Sequence, residues 1–142
     1  MKKIVSILIL AVVAAFTFSS CEISDDNNLN YHFELIPIDS VTLPEAFVMG
    51  QTHAIKVYYR RPTSCHFYEG FYYEKDLNVR TVAVQASVIE SNDCAELNEE
   101  PIEASFDFVP TSNGTYVFKF YKGQDVNGTN LFLEYEVPVV QE

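Results

Sequence analysis

Positive charge is scarce in this sequence: nine Lys and Arg stand against twenty Asp and Glu in 142 residues, for a formal net charge of −11. Nucleic-acid binding rests on cations that neutralise phosphates, so that class is excluded. Adhesion to anionic head groups by charge is excluded on the same ground. Histidine is equally sparse. His32, His53 and His66 lie far apart, with no H-x-x-H or H-E-x-x-H spacing, so they read as solvent-facing or loop residues rather than zinc ligands. There is no G-x-S-x-G, no S-x-x-K and no glycine-rich phosphate loop. The acidic pairs Asp25-Asp26 and Glu99-Glu100 read as solvated loop. A glycosidase would need two carboxylates across a deep groove, which short loops do not build. No enzymatic activity, no cofactor and no metal site is therefore expected.

Long apolar runs are also lacking, with one exception. Ile4 to Phe18 carries no charge and follows Met1-Lys2-Lys3. It is too short to span a membrane, which takes roughly 20 apolar residues. A basic start, an apolar run and small residues before a cut form a secretory signal. Ser19-Ser20-Cys21 resembles the lipobox of bacterial lipoproteins, although Phe18 stands where that pattern has an aliphatic residue. The resemblance implies that residues 1–20 are removed and that Cys21 carries a lipid. Loss of Lys2 and Lys3 then takes the formal charge from −11 to −13.

There are three cysteines. An odd count in an exported protein leaves one thiol over. With Cys21 acylated, Cys65 and Cys94 remain and can pair in an oxidising compartment. Chain-entropy reasoning puts that crosslink at about 3.6 kcal/mol. A catalytic Cys65–His66 dyad is disfavoured, because neighbours in a strand point to opposite faces.

Residues 21–30 read as a polar tether after the lipid, and residues 31–142 as one domain. Asp25-Asp26 resembles the export tag of surface lipoproteins in Bacteroidetes-type bacteria, and reads equally well as a solvated spacer. Beyond residue 30, period-two alternation recurs between turn signals and no helical period is sustained. The runs are 31–38, 41–43, 52–61, 65–75, 79–90, 102–108, 116–121 and 131–139. Gly70 marks a bulge, Asp76-Leu77-Asn78 and Ser112-Asn113-Gly114 mark turns, and Pro138 suggests a sheet edge. Asp125 to Asn130 resembles part of a calcium loop, but Asn127-Gly128 between alternating runs is the stronger hairpin signal.

About seven strands in roughly a hundred residues predict a single antiparallel two-sheet sandwich of immunoglobulin-like type. Ser112 to Phe118 resembles the turn and penultimate strand of such domains, where an early tyrosine packs at the sandwich corner. The cysteine spacing and the absence of tryptophan do not match antibody domains. As a whole the chain resembles small surface lipoproteins of Bacteroidetes-type bacteria. That resemblance implies an outer-membrane, lipid-anchored, surface location and no particular activity. Asp39-Ser40-Val41 resembles the O-glycosylation acceptor of the same bacteria, and Ser40 reads equally as a serine leading into a strand.

Aromatic side chains are the feature the sequence has in excess. Tyr58, Tyr59, His66, Phe67, Tyr68, Phe71, Tyr72 and Tyr73 fall on two runs expected to be neighbours, at both parities. They cannot all point inward. Tyr58, His66, Tyr68 and Tyr72 form the expected binding face, for a protein or a neutral glycan; core packing and cross-strand pairs are the alternative. Two functions follow: a lipid-anchored binding or accessory module, or a structural envelope lipoprotein that serves as spacer or assembly partner.

Overall fold

The structure is a computed structural model that describes residues 30–141. The signal segment, Cys21 and residues 22–29 of the tether lie outside the described residues. The described chain is all-β: β1 (Tyr31–Ile36), β2 (Ile38–Thr42), β3 (Phe47–Val48), β4 (His53–Tyr59), β5 (His66–Asp76), β6 (Val79–Ile89), β7 (Ile102–Phe108), β8 (Thr115–Gln124) and β9 (Asn130–Val140). These form a larger sheet of six strands and a smaller sheet of three, β2-β4-β7. In the larger sheet β6 is the hub. It pairs with β5 along one edge, and with β1 and then β8 along the other.

Alternation along each strand sends one set of side chains into a shared core. From the smaller sheet come Ile38, Ile55, Val57, Tyr59 and Phe108; from the larger come Ile36, Val82, Val84, Ala86, Tyr116, Phe118 and Phe120. Phe47 is fully buried and contacts Phe108, Tyr116 and Phe118 with ring centroids 4.8–6.3 Å apart. Such tilted and edge-on pairs add to the stabilisation from area alone. Pro37 sits where the chain leaves the larger sheet: Ile36 pairs with Val84 and Ile38 with Tyr59. A residue without an N–H cannot continue the first ladder, and the strand changes sheet there.

The pairing is mixed rather than antiparallel throughout, which corrects the sequence expectation. Val79 to Val82 runs parallel to Val117 to Phe120, and Phe47-Val48 runs parallel to Val139-Val140. Strand β3 also covers the end of β9 beyond Pro138, where a free edge was expected. Parallel pairs need long crossovers, and here the β7 excursion into the other sheet supplies one. Local turn chemistry is as read. Asn127-Gly128 lies in the β8–β9 hairpin, with Gly128 at φ 81°. The Asp125 carboxylate accepts the N–H groups of Thr129 and Asn127, which hold its pKa below the usual range.

The Cys65–Cys94 disulfide is present, with Cα atoms 5.4 Å apart. It fastens the long β6–β7 connection to the start of β5. Ser64 N–H donates to the Ala95 carbonyl and Leu97 N–H to the Pro62 carbonyl beside it, at 2.9 and 3.1 Å.

Tyr116 anchors the opposite end. Its hydroxyl accepts the N–H groups of Thr111 and Ser112, both at 3.1 Å, and bonds the Ser112 hydroxyl at 2.9 Å. Ser112 in turn donates to Asn78, whose amide reaches the carbonyls of Asn113 and Thr115. The β5–β6 turn and the β7–β8 loop are thereby tied together.

Candidate functional site

The expected aromatic face does not exist as one surface. Strands β4 and β5 belong to different sheets, so Tyr58 and the β5 aromatics are not neighbours. Tyr58 lies on the outer side of the smaller sheet and donates to Glu103 at 2.9 Å. His66 is only 6% exposed; its Nδ1 bonds the Thr63 hydroxyl and its Nε2 lies 3.3 Å from Glu34. It is a structural residue, not a solvent-facing one. His53 is likewise held in β4, where Nε2 accepts the Val48 N–H at 2.9 Å.

Tyr68 and Tyr72 part company because of the Gly70 bulge. The register shifts between Tyr68 and Gly70, where φ is 135°. The extra residue inverts parity along the strand. Tyr68 therefore pairs with inward Ala86, Phe71 with Val84 and Tyr73 with Val82. Tyr68 stacks on Tyr59 with centroids 5.9 Å apart, and burial pushes the pKa of both phenols up. Tyr72 pairs with Ala83 and points to the outer side of the larger sheet.

That outer side carries a different set of rings, which the sequence reading missed. Phe33 and Phe67 both pair with Ser87, one from each flank, and are 59% and 45% exposed. Leu35 pairs with Gln85, and Tyr121 with Phe132. Between them lies a hollow of about 330 Å³. Ala83 is its floor, only 1% exposed. Tyr72, Leu35, Tyr121 and Phe132 are its apolar walls, and Glu74, Thr81, Lys119 and Asn130 its polar rim. The Tyr72 hydroxyl donates to Glu74 at 2.9 Å, a bond that raises its pKa. Lys119 is paired with Glu134 at 3.1 Å. The rim thus offers both hydrogen-bond donors and acceptors without a free cation.

The small Ala83 makes the depression: its methyl group sits where the surrounding positions carry rings. By contrast, the outer side of the smaller sheet presents Lys56, Tyr58, Glu103 and Asp107, with Lys56 and Glu103 paired at 2.9 Å. Ser40 is exposed on β2, next to an Asp39 that pairs with Arg60 at 2.6 Å. Compared with known proteins, the chain matches no family model, no curated protein and no solved structure.

Proposed function

We propose that this protein is a lipid-anchored, non-catalytic binding module of the bacterial cell envelope, displayed at the outer membrane through Cys21. Its ligand surface is the outer side of the larger sheet, centred on the hollow over Ala83. One observation carries the reading: Tyr72, Tyr121, Phe132 and Leu35 are turned outward around a small-residue floor instead of entering the core. Apolar clusters of this kind on a soluble surface mark sites of contact. Rings beside a carboxylate, a hydroxyl and an amide suit a neutral sugar, whose C–H face packs on aromatics while its hydroxyls take the rim. The acidic remainder of the chain disfavours anionic glycans. We read the architecture as a sandwich of immunoglobulin-like kind. Tyr116, bonded back to the backbone just upstream, supports that reading; the parallel β6–β8 pairing departs from it.

Binding to an array of neutral and anionic glycans tests the function, with Tyr72→Ser/Tyr121→Ser as the variant. Both residues are on the surface and the fold should survive. Selective binding of neutral hexose glycans, weakened about tenfold or more in the variant, is expected. No selective binding, or equal binding by the variant, refutes the glycan reading and returns the protein to a spacer or assembly role.

A further inference from the structure

A second cavity lies on the opposite side of β5 and has a different chemistry. It is a cleft of about 460 Å³ between β5 and β7. Among the described residues each of these strands is an edge of its sheet: β5 pairs only with β6, and β7 only with β4. Phe71, Tyr73 and Lys75 line the cleft from β5, and Phe106 and Phe108 from β7. Phe106 meets Phe71 and Tyr73 edge-on, with centroids 5.0 and 6.0 Å away. Arg80 lies at the base. It is 7% exposed, its Nη1 donates to the carbonyls of Leu77 and Val79, and its guanidinium sits 4.8 Å from the Tyr116 ring centre.

The pairing of cations across the molecule makes this cleft unusual. Lys56, Arg60, Arg61 and Lys119 each have a carboxylate within salt-bridge distance. Among the described residues Lys75, Arg80 and Lys122 do not, and the first two share this cleft. A buried guanidinium without a counter-charge is costly. Acidic side chains are abundant in the sequence, yet none is paired here. Asp107 lies at the mouth, on the outward row of β7 with Glu103 and Ser105, and forms no ion pair with either cation. The excess negative charge elsewhere is screened beyond about 8 Å at physiological salt, which leaves two cations, Lys75 and Arg80, against the one carboxylate of Asp107 in the cleft lining.

We propose that this cleft binds a carboxylate attached to a flat apolar group. The carboxylate meets Arg80 and Lys75, and the apolar group lies against the exposed side of the Tyr73–Phe106 pair. A free aromatic acid and the C-terminal residue of a peptide share this chemistry; a peptide could also pair with the free backbone edge of β5.

The test is a titration of the isotope-labelled protein followed by amide NMR. The probes are 3-phenylpropionate, its neutral amide 3-phenylpropionamide, and N-acetyl-Ala-Phe with a free C-terminal carboxylate. At least one carboxylate should shift the amides of Tyr73, Lys75 and Phe106 saturably. The neutral amide should bind about tenfold or more weakly. Whichever carboxylate binds tighter identifies the source. Lys75 is exposed, so Lys75→Glu should keep the spectrum of the fold and lose about tenfold in affinity. Tyr121→Ser, on the other face, should leave binding unchanged, which separates this site from the hollow over Ala83. No saturable shift by about 10 mM, equal binding of acid and amide, or unchanged affinity in Lys75→Glu overturns the proposal.

Discussion

Replacing Tyr116 by Phe removes one oxygen and leaves every ring contact in place. The ring keeps Arg80 above it at 4.8 Å and Phe108 at 5.0 Å. What is lost is an acceptor for two N–H groups and a partner for the Ser112 hydroxyl. Thr111 is exposed, so its N–H can turn to water; Ser112 is half-buried and less able to. Two hydrogen bonds at a net of about 1 kcal/mol each give an expected loss of about 2 kcal/mol at pH 7. The same geometry adds a pH dependence. Burial pushes the Tyr116 phenol up, but the Ser112 hydroxyl and the N–H groups of Thr111 and Ser112 favour the phenolate, and together they bring its pKa down to about 8. In the unfolded chain it is about 10. A depressed folded pKa contributes stability that is complete above pH 10 and disappears as pH falls through 8. Two units would be worth about 2.7 kcal/mol. At pH 9.5, below the unfolded value, only part of this is expressed, about 1–2 kcal/mol. Burial raises the pKa values of Tyr59, Tyr68 and Tyr73. They act above pH 10 and are common to both proteins. Urea unfolding of wild type and Tyr116→Phe should therefore differ by about 2 kcal/mol at pH 7 and about 3–4 at pH 9.5, at equal m-value. A difference under about 0.5 kcal/mol at pH 7, or one that shrinks as pH rises, refutes the reasoning.

Removing the crosslink with Cys65→Ser/Cys94→Ser should cost up to about 3.6 kcal/mol; thermal unfolding measures it, and a stability unchanged by reductant would contradict the role assigned to it. The β6–β7 connection should then become the first segment cut by protease, since only the Ser64–Ala95 and Leu97–Pro62 bonds and the exposed Arg61–Glu99 pair then hold it among the described residues. Cys21→Ala should abolish incorporation of labelled fatty acid and leave the protein uncleaved or free of the membrane; an unmodified Cys21 found by mass spectrometry in the mature wild-type protein would end the lipid-anchor reading.

Most strands, the hairpin turns and the Tyr116 corner were legible because each rests on short-range chemistry; the two-residue β3 and the break at Pro37 that divides the 31–38 run between two sheets were not. Alternation marks a half-buried strand, Asn127-Gly128 supplies the positive φ of a tight turn, and Ser112 to Tyr116 spans only one loop. The disulfide was legible through an odd cysteine count and one resemblance. Strand pairing was not. Nothing in the period of β6 says that its far edge is shared by β1 and β8, because hydrogen-bonding edges leave no mark on side-chain pattern. The site failed for a sharper reason. Gly70 marks a bulge in the sequence, yet the expected face holds both Tyr68 and Tyr72. One extra residue reverses every later side chain; applying it gives Phe67 and Tyr72 outward, and Tyr68, Phe71 and Tyr73 inward, as observed. Phe33 and Leu35 carried a signal too. Their parity opposes buried Ile36 only by an odd step, so in a two-sheet fold they had to point to solvent.

Strand β5 connects these observations. It is long, it has one partner, and its free edge borders the cleft. An edge of that kind invites pairing with other chains, and proteins usually blunt it with bulges and charges. Both devices are present: the bulge at Gly70, and Glu69, Glu74 and Lys75 along the strand. They restrain the edge without filling either cavity beside it. On one side the alternation sends Tyr72 over Ala83, and on the other it sends Phe71, Tyr73 and Lys75 toward Arg80. Under the two proposals, one strand carries a ligand site on each of its faces.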